Sequence, residues 1–223
     1  MDLKKLNFLK IDIHNKKTLP FLITAAGCTF FLITTIIAMF FYPDGYNFFG
    51  HYFSDLGTTV SRNGAPNPVS FVLFNMSVII AGSLLFPFFL ALPKYISENK
   101  VIKGVAWFNA LFGVIVAFAY IGIGFTPADI AGAAHGLFVK IAFLGTVPVI
   151  LVCAILTVIN KEIPRYVPYV FIFFTIVAIG YVILLFSGIR DPIINVVGQK
   201  IIIYTEMISM VITGYGMAQY ADI

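Results

Sequence analysis

SFVLFNMSVIIAGSLLFPFFLAL, residues Ser70 to Leu92, runs without an Asp, Glu, Lys or Arg. A stretch this long and apolar matches the ~20 residues a helix needs to cross a hydrocarbon core of about 30 Å. Five more stretches share the pattern: Leu19 to Tyr42, Gly104 to Phe125, His135 to Ile159, Val167 to Ser187 and Ile201 to Tyr220. Hydrophobic residues make up 60% of the 223 and charged residues 11%, where soluble domains carry roughly 25% charged. The pattern specifies an all-α fold, a polytopic membrane bundle of six transmembrane helices. Residues 19–220 form one transmembrane domain behind a basic lead over 1–18. The longest piece between spans is Pro43 to Val69, too short for a soluble domain.

The basic residues sort by side. Lys4, Lys5, Lys10, Lys16 and Lys17 precede the first span, Lys94, Lys100 and Lys103 follow the second, and Lys161 and Arg165 follow the fourth. The opposite connections hold only Arg62, Arg190 and Lys200. Short loops rich in Lys and Arg stay cytoplasmic, so both termini are expected there, in a multi-pass protein of the cell membrane. The net charge of +4 forms no basic stripe, which excludes nucleic acid as a partner and leaves membrane lipids. The first apolar run is about twice the length of a signal-peptide core and lacks a small-x-small cleavage site, so it reads as a first helix. Cys28 and Cys153 each fall inside a span and read as packing residues.

The polar residues able to do chemistry gather toward the outer side. Tyr46 to Leu56, YNFFGHYFSDL, ends at Gly57 and reads as a short interfacial helix in the first outer loop, with Gly57 as its stop. His51 and Asp55 then stand four apart on one face, with Ser54 beside them. Thr126-Pro127-Ala128-Asp129 reads as the start of the fourth helix, Thr126 capping and Asp129 in the first turn, which brings Asp129 and His135 to the same depth. His51, Asp55, Asp129 and His135 thus form the expected catalytic set, converging at the outer mouth. The same two histidines and two carboxylates are the ligands a zinc ion would use. The plainer alternative is a polar lid tying the first loop to the fourth helix. Deeper in, Lys140 and Glu206 lie at similar depth in two spans, and intramembrane charges usually pair, so a Lys140–Glu206 contact is expected. Ser54, Lys140, Glu206 and Arg190 complete the ligand-binding candidates. Gly122, Gly124, Gly132, Ala133 and Gly136 are expected to let the third and fourth helices approach closely.

Phe53-Ser54-Asp55-Leu56-Gly57, Asn67-Pro68 and Leu73-Phe74-Asn75 resemble the first block of a family catalogued as domain of unknown function 998. Gly124-Phe125-Thr126-Pro127-x-Asp129, His135 and Lys140-x-x-Phe143-Leu144 resemble its second block. The resemblance covers about Tyr42 to Val147 and implies a six-helix bacterial or archaeal membrane protein with no established activity. More distantly, the Ser-Asp and Asp-to-His pattern is similar to multi-span lipid hydrolases of the alkaline-ceramidase kind. Those use three histidines, and this chain lacks the third on the outer side.

Three functions follow from these residues. An outer-face site would bind or modify a lipid head group. Lys140 and Glu206 at depth would serve a small transporter or proton-coupled carrier, although the two halves show no inverted repeat. Plain spans alone would make a structural subunit.

Overall fold

The computed structural model describes residues 11, 15–189 and 191–222. Six α-helices dominate it: α1 Leu19–Phe40, α2 Pro68–Ala91, α3 Lys100–Phe125, α4 Gly132–Ile159, α5 Tyr166–Phe186 and α6 Pro192–Ala221. All six are long and apolar enough to cross a membrane. Among the described residues there is no strand, only one antiparallel bridge between Val60 and Pro66. Each helix packs on its neighbours in chain order, and α6 returns to α1, so the bundle closes into a ring. The α1–α2, α3–α4 and α5–α6 connections share one face of this ring, called here the loop face. The chain ends and the other two connections form the terminal face.

Helix starts depart from the apolar pattern where capping chemistry overrides it. Asp191 accepts hydrogen bonds from the Ile193 and Ile194 amides at 2.8 and 3.0 Å and Pro192 takes the first helical position, a strong start signal. The helix therefore begins well before Ile201, and Lys200, expected in a connection, lies within it. The fourth helix starts late. The Thr126 hydroxyl bonds back to the Gly122 carbonyl at 2.7 Å instead of capping forward, and the Ala131 amide closes a turn on Pro127. Asp129 is consequently in a turn, off the helix. The first loop does carry a short helix, but only Phe53–Gly57, one 3-10 turn. His51 lies before it, its amide bonded to the Asn47 carbonyl. His51 and Asp55 do not share a helical face.

In lipid, helices associate through close approach and interhelical hydrogen bonds. The Thr24 hydroxyl of α1 reaches the Leu84 carbonyl of α2 at 2.5 Å, and the Asn109 amide of α3 reaches the Val149 carbonyl of α4 at 3.2 Å. Of the glycines expected between α3 and α4, Gly122 lies against Phe138 as proposed. Gly124 instead faces Ile79 and the Asn75 carbonyl of α2, and nothing lies within 4 Å of where a Cβ would stand on Gly132 or Gly136. The ring closes at Gly214 of α6, where a Cβ would stand 2.8 Å from the Phe21 carbonyl of α1. On the terminal face one amide joins three segments: Asn160 Nδ2 donates to the Tyr95 and Ile96 carbonyls and to the Tyr220 hydroxyl.

Gly214→Ala forces a methyl group against backbone that cannot yield, and such overpacking costs roughly 1–3 kcal/mol. Gly136→Ala adds a methyl in open space on a helix and gains up to about 1 kcal/mol of propensity. Thermal melts in detergent are expected to show a clear fall in Tm for the first and none for the second.

Candidate functional site

The first loop is fastened to the bundle from three sides. From α2, Asn67 Nδ2 donates to the Leu56 and Thr58 carbonyls, Ser70 Oγ to the Leu56 carbonyl and Asn75 Nδ2 to the Gly57 carbonyl at 2.9 Å. Gly57 allows this approach: a Cβ there would stand 2.5 Å from the Phe74 ring. From the α3–α4 turn, the Asp129 carboxylate accepts from the Thr59 amide at 2.8 Å, the Thr59 hydroxyl at 2.5 Å and the Val60 amide at 3.3 Å. From α6, Gln199 Oε1 accepts the Phe53 amide at 2.8 Å and Lys200 Nζ donates to the His51 carbonyl at 2.5 Å. Lys200 is 2% exposed. Its ammonium lies 5.3 Å from the Tyr46 ring centre and 5.1 Å from that of Phe48, within the range of cation–π attraction.

The loop's own ionisable groups serve its shape. Asp55 takes the Tyr52 amide at 2.8 Å and pairs with Arg62 at 2.7 Å. His51 accepts the Asn47 amide on Nδ1, and its ring lies tilted against Tyr42 and edge to face with Tyr46. Burial, then the nearby Arg62 and Lys200 cations, lower its pKa against the opposing pull of Asp55. For Asp129, burial works to raise the pKa, but the hydrogen bonds from Thr59 and Val60 together outweigh it and leave the carboxyl below its ordinary value.

Beneath this roof lies a chamber enclosed by α1, α2, α3, α4, α6 and the 3-10 turn. Its walls are mainly aromatic and aliphatic, with Phe31, Phe53, Phe74 and Phe143 prominent, and five polar side chains line it: Ser54, Tyr120, His135, Gln199 and Glu206. The space among the lining atoms totals about 560 Å³, counting its open side, of which about 50 Å³ admits the centre of a water molecule. Glu206 is 3% exposed and accepts a 2.5 Å hydrogen bond from the Tyr120 hydroxyl. No cation lies within ion-pairing distance of it among the described residues. His135 Nδ1 is 2.7 Å from the Thr126 carbonyl. A carbonyl only accepts, so Nδ1 carries the proton, and in the neutral ring Nε2 is left as an acceptor.

The structure separates the residues expected to converge. His135 and Ser54 line the chamber, whereas His51, Asp55 and Asp129 do not. Those three are occupied in holding the loop. No group of three or more His, Cys, Asp or Glu able to hold a metal comes together among the described residues, so the zinc set of His51, Asp55, Asp129 and His135 is not assembled, because each is drawn to a different backbone partner. Lys140 is exposed on the outside of α4 and does not meet Glu206, whose partner is Tyr120. Arg190 lies outside the described residues. Tyr120, Gln199 and Lys200 were missed. Gln199-Lys200 was readable as adjacent polar residues flanked by apolar ones once the helix start at Pro192 was recognised. Tyr120 carried no signal apart from its hydroxyl inside a span.

A family model described as "Protein of unknown function (DUF998)" matches residues 25–215. No curated protein and no solved structure matches the chain.

Asp129 binds its loop as a carboxylate. A carboxyl whose pKa is lowered by folding contributes stability above its ordinary value of 3.8, and that contribution is lost as the pH falls through the lowered value. Wild-type Tm is expected to drop between about pH 5 and about pH 3 more steeply than that of Asp129→Asn, followed by circular dichroism in detergent.

Proposed function

The chain belongs to the DUF998 family, and we propose that it is a multi-pass membrane protein that binds an amphipathic, lipid-like molecule in the chamber under its first loop. The polar part of the ligand bonds to Tyr120, Glu206, His135 and Gln199, while its apolar part rests on Phe31, Phe53, Phe74 and Phe143. One observation carries this reading: Glu206, a buried carboxyl with no cation in pairing distance among the described residues, opens on a hollow lined mostly by apolar side chains. Ionisable residues inside a membrane are costly and mark functional sites by default, and ligand pockets combine apolar walls with a few convergent polar groups. The lipid-facing position of Lys140 removes the pair on which a carrier was conceived.

We place the terminal face in the cytoplasm, supported by the ten Lys and Arg residues in the segments of that face against three near the loop face. The chamber then serves the outer half of the membrane. Cys28 and Cys153 are buried, so single cysteines can report sidedness over a low background. In intact cells an impermeant thiol reagent is expected to label Asn63→Cys and to spare Glu98→Cys; the reverse pattern overturns the orientation.

Val139 lines the chamber from α4. Val139→Phe fills part of it with little demand on the rest of the fold. Native mass spectrometry of protein purified in mild detergent is expected to find a retained amphipathic molecule on the wild type and little on Val139→Phe at similar Tm. Equal retention by both, or none by the wild type, defeats the binding role.

A further inference from the structure

We propose that the ligand's polar part is an alkylammonium group, an inference that rests on the chamber being a binding site. Two of the groups that face the hollow have acceptors to offer, and one of them is a carboxyl. Glu206 Oε2 takes the Tyr120 hydroxyl, which leaves Oε1 to accept. His135 has Nδ1 committed as a donor to Thr126, which leaves Nε2 to accept when the ring is neutral. Gln199 spends its carbonyl oxygen on the Phe53 amide, which leaves its Nε2 to donate, so the charge preference rests on Glu206. Around them, Phe31, Phe53, Phe74 and Phe143 line the same hollow, and Phe53 and Phe74 meet edge to face at 5.5 Å. Aromatic rings attract a cation over their faces, most strongly where water is excluded, and a carboxylate supplies the charge that completes its recognition.

Among the described residues no cation pairs with Glu206. Lys200 is drawn to the His51 carbonyl and the Tyr46 and Phe48 rings. Arg62 pairs with Asp55, and Lys140 lies on the outside of α4. A carboxylate bearing one hydrogen bond, without a cation partner, in a pocket lined by aromatic rings, therefore takes its positive charge from the ligand. The bound pair is the same whichever partner brings the proton: a free amine accepts it from the carboxyl, or an ammonium meets the carboxylate. An anionic head group has no charge that the carboxylate can pair with, and an alcohol gains the hydrogen bonds without the charge.

The test uses three probes of one chain length, n-hexylamine, n-hexanol and hexanoate, titrated calorimetrically into the full-length protein in a non-ionic detergent at neutral pH. Hexylamine is expected to bind at least about tenfold more tightly than hexanol, with hexanoate undetected. Glu206→Gln is expected to abolish the preference, bringing hexylamine and hexanol to the same level. Tyr120→Phe retains the carboxyl and is expected to keep the preference for the amine, so it decides the matter where Glu206→Gln fails to fold. Equal binding of hexylamine and hexanol to the wild type overturns the amine assignment while the chamber stands as a site. An amine preference that survives Glu206→Gln overturns it also. Failure of all three probes to bind, with Val139→Phe indistinguishable from the wild type in retained ligand, overturns both the assignment and the binding reading beneath it.

Discussion

Backbone that is not helical is expensive near the hydrocarbon of a bilayer, because each unpaired carbonyl or amide costs several kcal/mol there. The end of the turn Phe53–Gly57 is tolerated because the start of α2 and its cap answer the Leu56, Gly57 and Thr58 carbonyls, through Asn67, Ser70 and Asn75. Everything near the loop face depends on that arrangement. It positions Phe53 and Ser54 over the ring of helices, lets Gln199 catch the Phe53 amide, and leaves a hollow below. With those α2 side chains replaced by apolar ones, the turn would have to hydrate or unwind, and the chamber would lose its roof.

The six spans, their order and the all-helical fold were legible in the sequence, since a run such as Ser70 to Leu92 has no other way to satisfy its backbone in a membrane. The site was legible only in part. His135, Ser54 and Glu206 were identified and do line the chamber. His51, Asp55 and Asp129 were grouped with them because they share a membrane depth, and depth is a single coordinate. What separates them is the other two: each is turned toward a nearby amide, Asp129 to Thr59 and Val60, Asp55 to Tyr52, His51 to Asn47. Asp55 and His51 bond amides within four residues of themselves, the local pull that polar side chains in loops feel, while Asp129 reaches across to another loop, and a sequence pattern ranks neither against a shared pocket. Lys140 and Glu206 failed for a related reason. Their depths agree, but one points outward from α4 and the other inward from α6.

Lys200 and Glu206 lie six residues apart on one helix, and each is almost wholly buried, yet they serve different tasks. Lys200 is held at the level of the roof by a carbonyl and two rings, a set that satisfies an ammonium without neutralising it. Glu206 is deeper, with a phenol as its donor. A direct pair between them would have cancelled both charges. Keeping them apart leaves a cation that fastens the loop and a carboxyl that faces the hollow.

The seam at Gly214 has a consequence for how the chamber holds together. The ring closes where α6 meets α1, and the same helix brings Gln199, Lys200 and Glu206. Were α6 to part from α1 there, the roof would keep its ties to α2 through Asn67, Ser70 and Asn75 but would lose Gln199 and Lys200, and the buried carboxyl would leave the hollow with them. One glycine contact therefore guards the wall, the roof's far support and the carboxyl together.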